Sequence, residues 1–328
     1  MQNIHINWAI NTLKNNGYLI QHVIPETIQS TPWSDVYRFA TDRGFVYLKI
    51  IPPAIALEAK IITLLYDQFH ANVPKVIAYN TELNCFLMKD AGRNLREILK
   101  KQFDAKLLCK AVDQFTSLQI AVADHINIFI DMGVPDWRLD KLPDLYAQLL
   151  AQKDLLIADG LSEIERMNLE KLQPKASDLC KKLSEYSIKQ SIVQPDFNEN
   201  NTLIDDTLQN LTIIDLGEIV ISHPFFSLFN FLQQIKKHHK LTDEDDTYLQ
   251  VMDACFENYM NFESKQNLLE AFALAQILWN IYGALAQYRL MDACGKDKIM
   301  SFQHGRLSDS LRAFMTACIA IHKWCSLQ

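Results

Sequence analysis

Strand-like and helix-like patterns occupy different parts of this 328-residue chain. Two short runs rich in β-branched and aromatic residues, Val36 to Phe39 and Phe45 to Ile51, flank a turn that contains Gly44, which is typical of a β-hairpin. A helix and two more strands are predicted next: Ala54 to Phe69, Val73 to Tyr79 and Asn84 to Lys89. From Leu95 onward, helical spacing dominates. The pattern therefore predicts an α+β fold in which a small antiparallel sheet precedes a mostly helical region.

A short strand-rich segment interrupts the helical region. Its predicted strands are Ser191 to Gln194, Thr202 to Ile204 and Leu211 to Ile214. Three polar residues, Asp196, Asn201 and Asp215, lie at the strand ends within otherwise apolar sequence. Phosphoryl transfer needs a carboxylate near the attacking hydroxyl and oxygen ligands that hold magnesium against the nucleotide phosphates. These three side chains supply that set of groups.

The spacing of these residues resembles the catalytic loop of the aminoglycoside phosphotransferase and choline kinase superfamily. That loop has a His-Gly-Asp sequence, an Asn five residues after the Asp, and then Ile-Asp-Trp-Gly. Here Asn201 follows Asp196 by five residues, and Asp215 follows it by nineteen within Ile214-Asp215-Leu216-Gly217. The resemblance implies a two-lobed, protein-kinase-like fold with ATP and Mg²⁺ as cofactors. It also implies that Asp196 is the catalytic base and that Asn201 and Asp215 are magnesium ligands.

The N-terminal part of the chain extends the resemblance. Lys49 falls on the second strand of the predicted hairpin, and Glu58 falls on the helix after it. In such a kinase the lysine holds nucleotide phosphates and pairs with the glutamate. The strand that ends in Met88-Lys89-Asp90 resembles the hinge, so that Met88 and Asp90 become candidate contacts for the nucleotide base. The implied division is an N-lobe over residues 1–92 and a helical C-lobe over residues 93–328.

Two departures from the family pattern keep a second function open. Gln194-Pro195 replaces the His-Gly that usually precedes the catalytic Asp, and proline both fixes φ and lacks an N–H group. The turn expected to cover the nucleotide, Ser30 to Asp35, contains no glycine. The alternative is a catalytically weak nucleotide-binding protein that serves as an interaction module.

Composition excludes several partners. A net charge of -7 argues against nucleic acid, which needs a basic surface. Met1 to Ile20 lacks the uninterrupted apolar run of a secretory signal, and the seven cysteines form no CxxC pair, as expected for a cytoplasmic protein with free thiols. The apolar stretch Phe272 to Leu285 is too short to span a bilayer, so we expect a buried helix and no membrane partner.

The resemblance implies that the acceptor is a hydroxyl of a small molecule that is aminoglycoside-like, an amino alcohol or a sugar. Four acidic residues could attract a cationic acceptor or could simply be solvated surface charges: Glu199, Asp205, Asp206 and Glu218. A protein kinase is disfavoured because no Ala-Pro-Glu sequence follows Asp215. His223 lacks zinc-ligand spacing, and Trp279, Tyr282 and Tyr288 recur at helical spacing, which favours packing roles over ligand binding.

Overall fold

The computed structural model describes residues 2–325. The first elements of the chain alternate between helix and strand: α1 (Gln2–Asn15), β1 (Glu26–Ser30), β2 (Asp35–Thr41), β3 (Gly44–Ile50), α2 (Glu58–Phe69), β4 (Val76–Asn80), β5 (Cys85–Lys89), β6 (Arg93–Asn94) and α3 (Leu95–Lys101). A single 3₁₀ turn, Pro53–Ile55, precedes α2. The predicted hairpin and the two strands after it are confirmed, whereas α1 was not predicted.

The remaining elements are mostly helical, as predicted. They are α4 (Ala105–Ala123), α5 (Ile126–Met132), α6 (Leu142–Leu150), α7 (Lys153–Ala158), α8 (Glu163–Lys171), α9 (Gln173–Leu183), β7 (Ser191–Val193), β8 (Thr202–Ile204), β9 (Leu211–Ile213), β10 (Val220–Ser222), α10 (Phe225–His239), α11 (Asp246–Glu257), α12 (Lys265–Cys294), α13 (Lys296–Gln303) and α14 (Arg306–Cys325). The α+β fold class is therefore confirmed.

The chain divides into two compact units. The first contains residues 1–102 and 200–218, and the second contains residues 103–199 and 219–328. The strand-rich segment is thus shared, because β8 and β9 belong to the first unit and β7 and β10 to the second. The lobe boundary after residue 92 stays a prediction.

A five-stranded antiparallel sheet forms the centre of the first unit, with the strand order β1-β2-β3-β5-β4. Alternation along β3 turns Val46 and Leu48 toward a core that includes Ala9 and Leu13 of α1. Lys49 comes directly after Leu48 and so points to the opposite face, as the sequence predicts. The sheet thereby places a lysine on the face away from α1.

A second, three-stranded sheet in the first unit has the order β6-β8-β9. Just before β6, Gly92 has a φ of 113°, and a Cβ atom there would lie 2.2 Å from the carbonyl oxygen of Ile204. Only glycine allows this approach, because it has no Cβ and adopts a positive φ without strain. Gly92 therefore fixes how the chain enters β6 beside β8.

The second unit pairs β7 with β10 in antiparallel register, with Ile192 opposite Ile221. The sequence did not predict β10, since a three-residue strand gives little alternation to detect. Helix α10 begins at Phe225, directly after β10, and eight of its residues are buried. This helix therefore lies in the core of the unit that also contains Asp196.

Helix α12 is the longest helix in the described part of the chain, with 30 residues. It is also the one helix there that is long and apolar enough to cross a membrane, but half of its most apolar window is buried inside the protein. It packs against α9, α10, α13 and α14. The prediction of a buried helix over Phe272 to Leu285 is therefore confirmed.

Candidate functional site

The first unit holds Lys49 in a buried ion-pair network. The Lys49 side chain is 9% exposed, and its Nζ atom lies 2.7 Å from Oε2 of Glu58 and 2.5 Å from Oδ1 of Asp215. Burial by itself would lower the pKa of Lys49, but the two carboxylates outweigh it and the pKa is raised. Lys49 is therefore a fixed positive charge. The structure brings these three predicted residues together although 166 positions separate Lys49 from Asp215.

Glu58 is the first residue of α2 and is almost fully buried. A carboxylate suits this position because the N-terminus of a helix carries partial positive charge. Its Oε1 atom accepts a hydrogen bond from the backbone N–H of Leu216 at 3.2 Å, and a Cβ atom on Gly217 would lie 3.1 Å from its Oε2. Burial raises the pKa of Glu58, while Lys49 and the Leu216 N–H oppose that change. Glu58 thus links Lys49 to the backbone just after Asp215.

Asp215 has a φ of 62°, in the left-handed region that few residues other than glycine adopt. Backbone strain of this kind is concentrated at functional sites. Asn201 lies beside the same segment, because its carbonyl oxygen accepts a hydrogen bond from the N–H of Ile214 at 3.0 Å. The register of β8 and β9 pairs Thr202 with Ile213. Asn201, just before β8, and Asp215, just after β9, therefore lie at the same end of this strand pair.

The side chains of Asn201 and Asp215 are of the types that bind magnesium beside a nucleotide. In the described residues there is no group of three or more His, Cys, Asp or Glu side chains that could hold a metal ion. Magnesium commonly takes only one or two protein carboxylates and completes its octahedron with water and substrate phosphates. An Asp carboxylate and an Asn carbonyl oxygen are suitable ligands of this type.

The hinge candidates lie at the end of β5. Met88 is paired with Tyr47 on one side and with Val76 on the other. Asp90 donates its backbone N–H to the carbonyl oxygen of Phe45 at 3.2 Å, and its carboxylate accepts a hydrogen bond from the N–H of Gly92 at 3.1 Å. The Asp90 N–H is therefore engaged in the first unit, so any nucleotide contact by Asp90 must use another group.

The turn between β1 and β2 is held by its own side chains rather than by glycine. The N–H of Thr31 donates to the carbonyl oxygen of Ser34 at 2.9 Å, and the N–H of Ser34 donates to Oγ1 of Thr31 at 3.0 Å. Ser30 Oγ also donates to Asp35 Oδ1 at 2.6 Å. Two backbone donors that a glycine-rich turn could offer to phosphate are thus already used.

In the second unit, Asp196 follows β7 and is held by a residue that the sequence reasoning missed. The side-chain Nδ2 of Asn198 donates to Oδ1 and to the backbone oxygen of Asp196, both at 2.8 Å. Asn198 is 3% exposed, so it is buried as well as hydrogen-bonded. In the sequence, Asn198 could have been identified by its position two residues after Asp196, the predicted base. Asn198 orients the carboxylate of Asp196.

The phosphotransferase enzyme family matches residues 29–251, which is more than half of the chain. The chain belongs to this family. It is therefore a phosphotransferase that acts on a small molecule and binds a nucleotide, as the resemblance implied. No curated protein matches it in sequence.

Solved structures of low sequence identity share the fold of this phosphotransferase. APH(2")-IIia in complex with GDP and kanamycin superposes with a TM-score of 0.58 at 16% identity, over 96% of this chain and 99% of that one. A Plasmodium vivax ethanolamine kinase gives 0.59 at 12% identity, over 88% and 82%. Amicoumacin kinase hAmiN, in complex with AMP-PNP, Ca²⁺ and amicoumacin, gives 0.58 at 12% identity, over 94% and 93%.

The four acidic residues that follow Asp196 in the sequence of this phosphotransferase are not all solvated. Glu199 is fully buried, and its Oε2 lies 2.9 Å from Nε2 of His239. Asp205 caps the turn after β8 by accepting a hydrogen bond from Thr207, and Asp206 is 93% exposed. The reading of the group as surface charge is therefore wrong for Glu199.

Histidine and aromatic residues of the phosphotransferase pack in the core of the second unit. His223 is buried, and burial lowers its pKa to about 3, so that the ring is neutral at physiological pH. Trp279 contacts Phe229 edge-on at 5.2 Å between ring centroids, and Tyr282 contacts Phe226 at 5.0 Å. The predicted packing of Trp279 and Tyr282 is confirmed, and His223, which was expected to be either solvated or packed, is packed.

Proposed function

We propose that this phosphotransferase transfers the γ-phosphoryl group of ATP to a hydroxyl of a small molecule in a Mg²⁺-dependent reaction. The observation that carries the proposal is the buried position of Lys49 between Glu58 and Asp215. A permanently charged lysine on a rigid strand is suited to hold nucleotide phosphates. The side chain of its partner Asp215 is 42% exposed, so a bound ligand could reach it.

Asp196 acts as the base in this mechanism. Its carboxylate orients the acceptor hydroxyl and takes its proton as the oxygen attacks the γ-phosphorus, while ADP leaves. Asn198 holds the carboxylate in one orientation, because its Nδ2 donates to Oδ1 and to the backbone oxygen of Asp196, both at 2.8 Å. Since positioning dominates phosphoryl transfer, this orientation contributes directly to the rate.

Asn201 and Asp215 would hold Mg²⁺, which supplies charge neutralisation at the β- and γ-phosphates when it is bound. Lys49 would bind the phosphates, and Glu58 holds the Lys49 ammonium through the ion pair at 2.7 Å. The adenine base would lie against the end of β5, at Met88 and Asp90. These assignments rest on the family membership and on the chemistry of each side chain.

For the acceptor we favour a molecule that carries both a hydroxyl and an amino group, and we expect the reaction to take place in the cytoplasm. Kanamycin and ethanolamine, named for two proteins of the same fold, both carry amines. A net charge of -7 also favours the approach of a cation over that of an anion. Phosphorylation of neutral sugars but of no amine in an acceptor panel would contradict this choice.

A second candidate function is nucleotide binding with little catalysis. The turn between β1 and β2 favours it, because Thr31 and Ser34 use each other's backbone donors. Weak binding of the nucleotide phosphates would slow phosphoryl transfer without abolishing nucleotide binding. Acceptor phosphorylation that is lost in Asp196→Asn would exclude this alternative.

The first test is thermal stabilisation by ATP with and without Mg²⁺. A ligand that binds only the folded state at 100 times its Kd stabilises it by about 2.7 kcal/mol, so the Tm should rise. We expect a Mg²⁺-dependent rise in the wild type that is lost in Asp215→Ala and kept in Asp206→Ala, whose side chain is 93% exposed. A wild-type Tm that does not change at millimolar ATP would refute the proposal.

A further inference from the structure

Helix α10 contacts the segment that carries Asp196 on its N-terminal side. Ser227, which is fully buried, makes two hydrogen bonds to Gln194. Its Oγ atom accepts from the backbone N–H of Gln194 at 2.9 Å and donates to the backbone oxygen of the same residue at 3.0 Å. A hydroxyl can do both because it has one donor hydrogen and two acceptor lone pairs.

The same helix also contacts the segment on the other side of Asp196. Three residues after Ser227, Asn230 donates from Nδ2 to the carbonyl oxygen of Phe197 at 3.1 Å. Residues three apart lie on one face of a helix, so both contacts come from a single surface. The ring of Phe197 is also stacked between Phe115 at 4.0 Å and Phe231 at 4.9 Å.

Pro195 explains why contacts on both sides are needed. It has no N–H group and a fixed φ, so no backbone hydrogen bond can be donated from the residue just before Asp196. The segment is held instead at Gln194 and Phe197, one residue to each side of Pro195-Asp196. Inside it, Asn198 belongs to the same loop and orients the Asp196 carboxylate.

We propose that Ser227 is a positioning residue for Asp196, with Asn230 as its partner on α10. This proposal rests on the proposed function, because it needs Asp196 to be the base. Loss of the Ser227 hydroxyl removes both of these hydrogen bonds to Gln194, so the segment that carries Asp196 is held less firmly. The nucleotide ligands Lys49, Asn201 and Asp215 keep their own hydrogen bonds and ion pairs, so nucleotide affinity is preserved.

If Ser227 had only a structural role, its loss would lower turnover no more than the loss of another buried serine hydroxyl. Ser222 provides that comparison. Ser222 is likewise fully buried, and its Oγ donates to the carbonyl oxygen of Trp137 at 2.7 Å. Ser222→Ala therefore removes one buried hydroxyl from the same unit without touching the Asp196 segment. The test compares Ser227→Ala, Ser227→Thr and Ser222→Ala with the wild type.

Two measurements do not require the acceptor to be known. ADP release at saturating magnesium-ATP reports turnover with water as the acceptor, and titration calorimetry reports the ATP Kd. We expect Ser227→Ala to lower turnover by about tenfold, which corresponds to a barrier increase of roughly 1.4 kcal/mol. The Kd should change by less than about twofold, a range below roughly 0.4 kcal/mol. Ser227→Thr keeps the hydroxyl and should restore turnover, while Ser222→Ala should leave it unchanged.

Equal turnover in Ser227→Ala and Ser222→Ala would overturn the proposal, as would a loss that threonine fails to restore. If Ser227→Ala does not fold, Asn230→Ala tests the same idea at the Phe197 contact and should also lower turnover with the Kd unchanged.

Hydrogen exchange at the Gln194 amide separates failure of this proposal from failure of the proposed function. That amide should exchange faster in Ser227→Ala than in Ser222→Ala by roughly fivefold, because one hydrogen bond contributes about 1 kcal/mol. Equal exchange rates would refute the contact itself, even in an active enzyme. A wild type that neither binds nor hydrolyses magnesium-ATP would refute the proposed function, and the role of Ser227 with it, whatever the exchange rates.

Discussion

Removal of the Lys49 charge should destabilise the first unit strongly, and simultaneous removal of the Glu58 charge should reverse most of that loss. The two side chains are only 9% and 2% exposed, and their charged atoms are 2.7 Å apart. Breaking one half of a buried pair costs about 3–5 kcal/mol because the remaining charge has no compensation, whereas replacing both halves with apolar residues is often neutral. We therefore expect a large loss for Lys49→Met, a smaller one for Glu58→Met because Lys49 keeps Asp215 as a partner, and a small one for the double variant.

The assay is a double-mutant cycle from denaturant unfolding followed by circular dichroism. The expected coupling between Lys49 and Glu58 is at least about 2 kcal/mol, as for contacting residues in one network. The control pair is Lys265 and Asp253, which are 2.8 Å apart but 52% and 53% exposed. Exposed pairs contribute about 0–1 kcal/mol, so that cycle should be nearly additive.

The pH dependence gives the same reasoning a second test. In Lys49→Met, burial raises the pKa of Glu58 with no lysine to oppose it. A carboxyl whose folded pKa is raised binds a proton more readily when folded, so the loss in stability should shrink as the pH falls toward the ordinary value of 4.5. Additive single variants, or a loss that does not change with pH, would refute the inference that Lys49 and Glu58 form a desolvated pair.

Three further outcomes are expected. Gly92→Ala should cost several times more than Gly44→Ala, because both glycines have positive φ but only Gly92 would bring a Cβ within 2.2 Å of the Ile204 oxygen; equal denaturation midpoints would contradict this. The low folded pKa of His223, about 3, means that the unfolded chain binds the extra proton below pH 6.5. The wild type should therefore lose up to about 1.4 kcal/mol per pH unit relative to His223→Gln as the pH falls from 6.5 toward 3, and parallel pH profiles would refute it. Ser162→Ala removes the N-cap of α8 and should cost about 1 kcal/mol in thermal unfolding, while an unchanged Tm would show that this cap is dispensable.

Local sequence patterns were sufficient where a short stretch of chain determines the structure. Strand alternation correctly placed Lys49 on the face opposite Val46 and Leu48, and helical spacing found α2 and therefore Glu58. The helix α1 was not predicted because its apolar residues follow helical spacing only weakly and its first turn has no acidic residue. The strand β10 was missed because three residues show almost no periodicity.

Side-chain partners distant in sequence could not be predicted in the same way. Ser and Asn are common in turns and helices, so nothing local distinguishes Ser227 or Asn230 from any other polar helix residue. The same holds for Glu199, which resembled a surface charge until the fold buried it beside His239. The roles of Ser227 and Asn230 depend on the backbone groups that α10 contacts, and the role of Glu199 depends on the side chain of His239.

The sequence by itself determined the fold class, the family and the order of the reactive groups, because strand and helix periods and the spacing of Asp196, Asn201 and Asp215 are local properties of the chain. Tertiary structure alone decided that Lys49, Glu58 and Asp215 form one buried network and that Ser227 holds Gln194. The physical reason is that a buried charge or backbone group must find a partner, and only the folded chain determines which partner lies within reach.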